Sequence, residues 1–175
     1  MPQVEATHSV KPFDVNAALE VTQGTLPFTV VIATTDGQQL WSGPEQALWQ
    51  NMMRAIGFAA DEQPTFIALK NEAADDMPLP ANHEATLQQA VYTKLADQPI
   101  IVMGHRALQV LSKGQANAAS VRRGDWSLEK ASEKGCFFPL VATYHVHTLL
   151  RQPFLKRQTW ADLLAFKQML DAGSE

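Results

Sequence analysis

Apolar residues gather along this chain in short unbroken runs, separated by stretches with helical spacing. "FTVVIAT", residues 28–34, is apolar and β-branched at strand length. "PTFIALK", 64–70, "QPIIVMG", 98–104, and "CFFPLVATYH", 136–145, repeat the pattern. Runs that are apolar at consecutive rather than alternate positions predict strands covered on both faces, as in a parallel sheet flanked by helices. Pro139 lies inside the last run and predicts irregular or edge-like pairing there.

Helical patterns fill the intervals. "PEQALWQNMMRAIGF" places Leu48, Met52 and Ile56 on one face, with Trp49 and Met53 beside them. Pro44 suits a first helical turn and Gly57 a helix end. "EATLQQAVYTKLA", 84–96, and "HRALQVLSKG", from His105, predict two more helices. A final helix is predicted from about Phe154 to Leu170, with Trp160, Leu163, Leu164, Phe166 and Leu170 as its apolar positions. Residues 35–44 and the acidic, proline-containing 71–84 read as loops. Residues 114–135 are polar and irregular, with room for a hairpin. Strands alternating with helices predict an α/β fold, a three-layer α/β/α sandwich on a mostly parallel central sheet. Residues 1–25 read as weakly ordered, with a short helix in "VNAALEV", and 26–175 as a single domain. In such a fold the functional crevice lies beyond the carboxyl ends of the strands. The loops 35–43, 104–106 and 145–151 are expected to meet there.

Composition narrows the function classes. The chain has 175 residues, 46% hydrophobic and 18% charged, which is ordinary for a soluble domain. No apolar run approaches the roughly 20 residues needed to span a bilayer. No basic-then-apolar leader pattern opens the chain, so a cytoplasmic location is expected. Cys136 is the one cysteine, which excludes an internal disulfide and a multi-thiolate metal site. It begins a predicted strand and reads as an inert buried thiol. The net charge of −4 is unevenly spread. Residues 1–100 carry 12 acidic and 4 basic side chains, and residues 101–175 carry 6 and 10. A basic face on the second half is therefore expected, although a solvated, unevenly charged surface has the same composition.

The chemistry-bearing residues cluster late. "ATYHVHTLLRQPFLKRQTWADLLAF", 142–166, holds His145, His147, Arg151, Lys156 and Arg157 in a short span. His145 and His147 are two apart on a strand end, but no third ligand accompanies them, so no metal site is expected. The three cations form either a phosphate-contacting patch or a solvated helix face paired with Asp162. "RRGDW" adds Arg122 and Arg123, as a basic loop or a surface turn. Asp36, before a glycine, is a candidate for positioning water and equally ordinary turn chemistry. Trp49 and Trp160 suit core or interface anchoring.

The late segment resembles the C-terminal block of the uracil-DNA glycosylase superfamily, most closely its iron–sulfur branch. That block runs from a strand through a histidine loop to Leu-Leu-Arg, Pro-x-Leu-Lys-Arg and Trp-x-Asp-Leu. Here His145, Leu149, Leu150, Arg151, Pro153, Leu155, Lys156, Arg157, Trp160, Asp162 and Leu163 fall in register. "PIIVMGHRALQVL" is similar to the family's strand-Gly-x-x-Ala-x-x-x-Leu unit, and "SGPEQALWQNMMRAIGF" to the helix after its first catalytic loop. In order and spacing the similarity extends over roughly residues 28–170.

The resemblance implies a site. A base must leave the DNA stack before its glycosidic bond is reached. Uracil departs as an anion, so a donor at its O2 stabilises the developing charge. His145 stands at the position of that donor. Arg151, Lys156 and Arg157 are implied phosphate contacts and Trp41 the implied stacking partner of a flipped base; His147, Arg122 and Arg123 are further nucleic-acid-binding candidates by residue type alone. The departures are equally specific. The family's first loop, often Gly-Glu-Ala-Pro-Gly, is here "ATTDGQQLWSG", shorter and out of register, with Asp36, Gln38 and Gln39 as substitutes. Val146 and His147 replace the usual Pro and Ser or Ala. Four cluster cysteines are required in the iron–sulfur branch, and one is present, so no cluster forms within one chain.

Together these imply a catalytically degenerate glycosylase-fold protein with no cofactor. It is expected to contact DNA weakly and to bind replication or repair proteins, without membrane association. More distantly it resembles the psi subunit of bacterial DNA polymerase III, an adaptor in the clamp loader. Two other readings share the sequence: an active cluster-free glycosylase using His145 with Asp36 or Gln38, and a nucleotide or small-ligand binder in the same crevice.

Overall fold

A computed structural model describes residues 13–34, 40–41, 43–70, 81–95, 97–128 and 139–173. The described strands are β1 (Leu19–Thr22), β2 (Thr29–Ala33), β3 (Thr65–Leu69), β4 (Ile100–Met103) and β5 (Leu140–Thr143). They form one sheet in the order β1-β3-β2-β4-β5. All neighbours are parallel except β1, which runs antiparallel along β3 with Leu19 opposite Leu69. The chain is therefore α/β with a mostly parallel sheet, as the unbroken apolar runs predict.

Alternation within each run assigns the two faces. Val31, Ile67, Ile100, Val102 and Ala142 join one buried cluster with Leu87, Val91, Leu108 and Leu111. Their sequence neighbours Val30, Ile32, Phe66, Ile101, Met103 and Val141 join a second cluster with Trp49, Met53, Leu163 and Phe166. A period of two on β2 to β5, which are buried at nearly every position, requires helices on both sides. The first face carries α1 (Val15–Ala18), α3 (Ala81–Lys94), α4 (His105–Ser112) and α5 (Ala118–Arg122). The second carries α2 (Gly43–Ala55), α6 (Val146–Arg151) and α7 (Lys156–Ala172), the last entered through a 3-10 turn at Pro153–Leu155. Phe28 and Phe166, both fully buried, meet edge to face at 5.0 Å under this layer. No helix among the described residues is long and apolar enough to cross a membrane.

Three local expectations change. In the segment 1–25, α1 falls within the short helix expected in "VNAALEV", and Leu19–Thr22 add the edge strand β1; Asp14 caps α1 by accepting from the N–H groups of Asn16 and Ala17. Four residues of modest hydrophobicity suffice there, because β3 offers a free edge and Lys70 donates to the Ala18 carbonyl at 2.9 Å. Within 114–135, the described part (114–128) carries the short helix α5 among turns, and no strand of a hairpin. Asn117 and Ser120 form a reciprocal capping box at the start of α5. Within α2 the buried line is Glu45, Trp49 and Met53, the last two predicted beside the apolar face; of that face, Ile56 is buried just beyond the helix end. Leu48 and Met52 pack at its flank. Cys136 and the acidic loop 71–80 lie outside the described residues.

Candidate functional site

The carboxyl ends of β2, β4 and β5 converge on one imidazole. His145 follows β5 and its Nε2 lies 2.9 Å from the Ala33 carbonyl oxygen at the end of β2. Its Nδ1 accepts the backbone N–H of His147 at 3.0 Å, capping α6. Because Nδ1 accepts, the ring proton resides on Nε2 and is donated to Ala33. Both ring nitrogens are thus engaged by backbone. Burial holds the imidazole below its ordinary pKa, opposed by the Ala33 hydrogen bond and the charge of Glu45, and assisted by His147.

Gly104, at the end of β4, closes the third side. Its φ of +91° is unfavourable for a side chain, and an added Cβ would stand 3.2 Å from the Cβ of His145. The glycine therefore serves both the turn into α4 and the close approach of the imidazole.

Two residues flank the ring. Trp41 is half-buried, stacked on Trp49 at 5.7 Å and 17°, edge-on to Phe66, and 6.3 Å from His145. One face of Trp41 is thus occupied by a core tryptophan. His147 places Nδ1 2.9 Å from the Glu45 Oε1. Glu45 is buried in the first turn of α2, while His147 is nearly half exposed. This pair ties α2 to α6 at the crevice. Glu45 was not among the residues singled out from sequence. The available signal was the Ser42-x-x-Glu45 spacing, that of a capping box at a helix start.

The basic candidates divide into two groups. Arg122 does not stand free for phosphate. It is held by Asp162 through two bonds, Nε to Oδ1 at 2.8 Å and Nη2 to Oδ2 at 2.7 Å. Asp162 also accepts from the Thr143 hydroxyl at 2.9 Å and from the Gln158 amide at 3.1 Å. The Arg122 guanidinium lies over the Tyr144 ring, 5.4 Å from its centroid. Its pKa is raised by the Asp162 hydrogen bond, partly offset by burial. This network joins α5, β5 and α7, and it accounts for the Asp of the Trp-x-Asp-Leu sequence as a packing anchor. Arg123 pairs at the surface with Asp125 at 2.7 Å. Arg151, Lys156 and Arg157 are exposed and make no hydrogen bond or ion pair with any described residue.

His145, His147 and Trp41 are therefore brought together, Arg122 is structural, and Asp36, Gln38 and Gln39 fall outside the described residues. No group of three His, Cys, Asp or Glu side chains suited to a metal occurs among the described residues. A groove of about 340 Å³ lies at the opposite end of the sheet, among Pro27, Pro99 and Pro139 at the amino ends of the strands. No protein-family model matches the chain, and no curated protein matches it.

Proposed function

We propose that this chain is a uracil-DNA glycosylase-like domain without efficient base excision, acting in DNA replication or repair as an accessory or adaptor. The observation that carries the reading is the saturation of His145. A donor for uracil O2 needs an N–H aimed into an open cleft. The only ring proton of His145 is given to Ala33, and its other nitrogen caps α6. To act on a base, the imidazole would have to leave two backbone partners and a buried seat.

The rest of the block supports a binding role. Leu149 and Leu163 are fully buried, and Asp162 anchors Arg122, so these positions serve the scaffold. Arg151, Lys156, Arg157 and Trp160 lie on the surface with no such duty. In this reading the three cations also contact DNA phosphates weakly, with an affinity that falls steeply as salt is added.

The test is incubation of the full chain with uracil-containing single- and double-stranded oligonucleotides, followed by abasic-site cleavage. No product above a no-enzyme control is expected at high protein concentration. Product whose rate falls about 10²-fold in His145→Ala would overturn the reading.

A further inference from the structure

We propose that Phe154, Trp160 and Leu164, bordered by Arg151, Lys156 and Arg157, form a docking surface for an acidic segment of a partner protein that carries bulky apolar side chains. The proposal rests on the adaptor reading above and names the chemistry of its partner.

The buried face of α7 is built from Thr159, Asp162, Leu163 and Phe166. Trp160 and Leu164 stand one turn apart on the outward side, with Arg157 three residues before Trp160. Phe154, in the preceding 3-10 turn, is 75% exposed, and Trp160 and Leu164 are about 40% exposed. A single exposed apolar residue is ordinary, but Trp160 and Leu164 one turn apart on α7, with Phe154 in the turn that leads into it, are not covered by packing among the described residues. The cations beside them are also unspent. Arg106, Arg122 and Arg123 each hold an acid, at 2.7–2.8 Å. Arg151, Lys156 and Arg157 hold none among the described residues.

Charge selects the occupant. A second copy seated on the same face would bring cations against cations, which disfavours a symmetric pair. Single-stranded nucleic acid stacks on aromatic rings within a basic groove. This face is a convex helix surface, and Leu164 offers no ring to stack on. An acidic segment satisfies both features. Its carboxylates meet the cations at the rim and steer the encounter, while its apolar side chains cover Phe154, Trp160 and Leu164. Trp and Arg are the residue types that most often dominate such contacts.

A random peptide library displayed on phage is selected against the full chain, with counter-selection on the Arg157→Glu/Trp160→Asp variant. Enriched peptides are expected to combine Asp or Glu with Leu, Phe, Met or Trp. For a synthetic enriched peptide, Trp160→Ala and Phe154→Ala should each weaken binding about 10-fold or more, measured by fluorescence anisotropy. Arg157→Glu should also weaken it and reduce its salt dependence. Circular dichroism melts of these surface variants should match the parent, which separates lost contact from lost fold. Several outcomes would overturn the proposal: no enrichment, enrichment without acidic residues, or equal binding by parent and variants. So would an oligothymidylate of about 20 nucleotides that binds more tightly than the peptide and is lost in the same variants. A dimer in solution that Trp160→Asp dissociates would assign the face to a second copy instead. Uracil excision would end the adaptor reading while leaving a positive peptide result intact, so the two failures are distinguishable.

Discussion

The Nε2 of His145 lies 2.9 Å from the carbonyl oxygen of Ala33, so one side chain joins the carboxyl ends of β5 and β2. The same ring caps α6 through Nδ1. An imidazole used this way works best neutral, with a proton on Nε2 and a lone pair on Nδ1. Several measurable consequences follow from that placement and from the buried contacts around it.

Protonation of His145 opposes folding. Its folded pKa is lowered from 6.5, chiefly by burial. The unfolded chain therefore takes up this proton first as pH falls, and the linkage removes stability as pH drops through and below the unfolded value. In urea denaturation between neutral and mildly acidic pH, the parent should lose stability on the acid side. His145→Asn keeps a helix-capping side chain but has no group titrating in this range. It should be less stable at neutral pH and show a shallower acid-side loss than the parent. An unchanged slope would mean that the imidazole titrates freely in the fold.

Gly104→Ala should cost more than Gly57→Ala. Both glycines have φ near +90° to +100°, so each substitution carries a backbone penalty of about 1 kcal/mol. At Gly57 the added Cβ would meet only the flexible end of Lys167, at 4.0 Å. At Gly104 it would press on the Cβ of His145 at 3.2 Å, where the ring is fixed by two hydrogen bonds. Thermal melts of the two variants give the comparison directly. Equal losses would show that the imidazole can yield.

Arg122→Ala should destabilise by about 2–4 kcal/mol, because it strips the main partner from a buried carboxylate. Arg122 itself is partly exposed, which places the loss below that of a fully buried pair. Asp162→Asn should lose less, since an amide can still accept from Thr143. Urea denaturation of the two variants measures both effects. A negligible loss in Arg122→Ala would return Arg122 to the pool of free surface cations.

Much of the fold was legible because its determinants are local. Four apolar runs near 28–34, 64–70, 98–104 and 136–145 became β2, β3, β4 and β5, each shorter than its run. Edge strand β1 was not legible: "LEVT" alternates weakly, and its place depends on the open side of β3. The site was legible in part. His145, His147 and Trp41 do gather at the carboxyl ends of the strands. What spacing does not encode is how each group is spent. The Arg122–Asp162 pair spans 40 residues, and the His145–Ala33 bond spans 112. The partner of each ionisable group is decided by packing between elements, and Glu45 was missed for the same reason. Nor was the exposure of Phe154 legible, a residue that sits in the 3-10 turn before α7.

The most direct measurement is uracil release by the full chain, with His145→Ala alongside. A donor already committed to Ala33 predicts no abasic product from either protein at any practical concentration. Release by the parent that falls about 10²-fold in the variant would show that the imidazole serves a base after all.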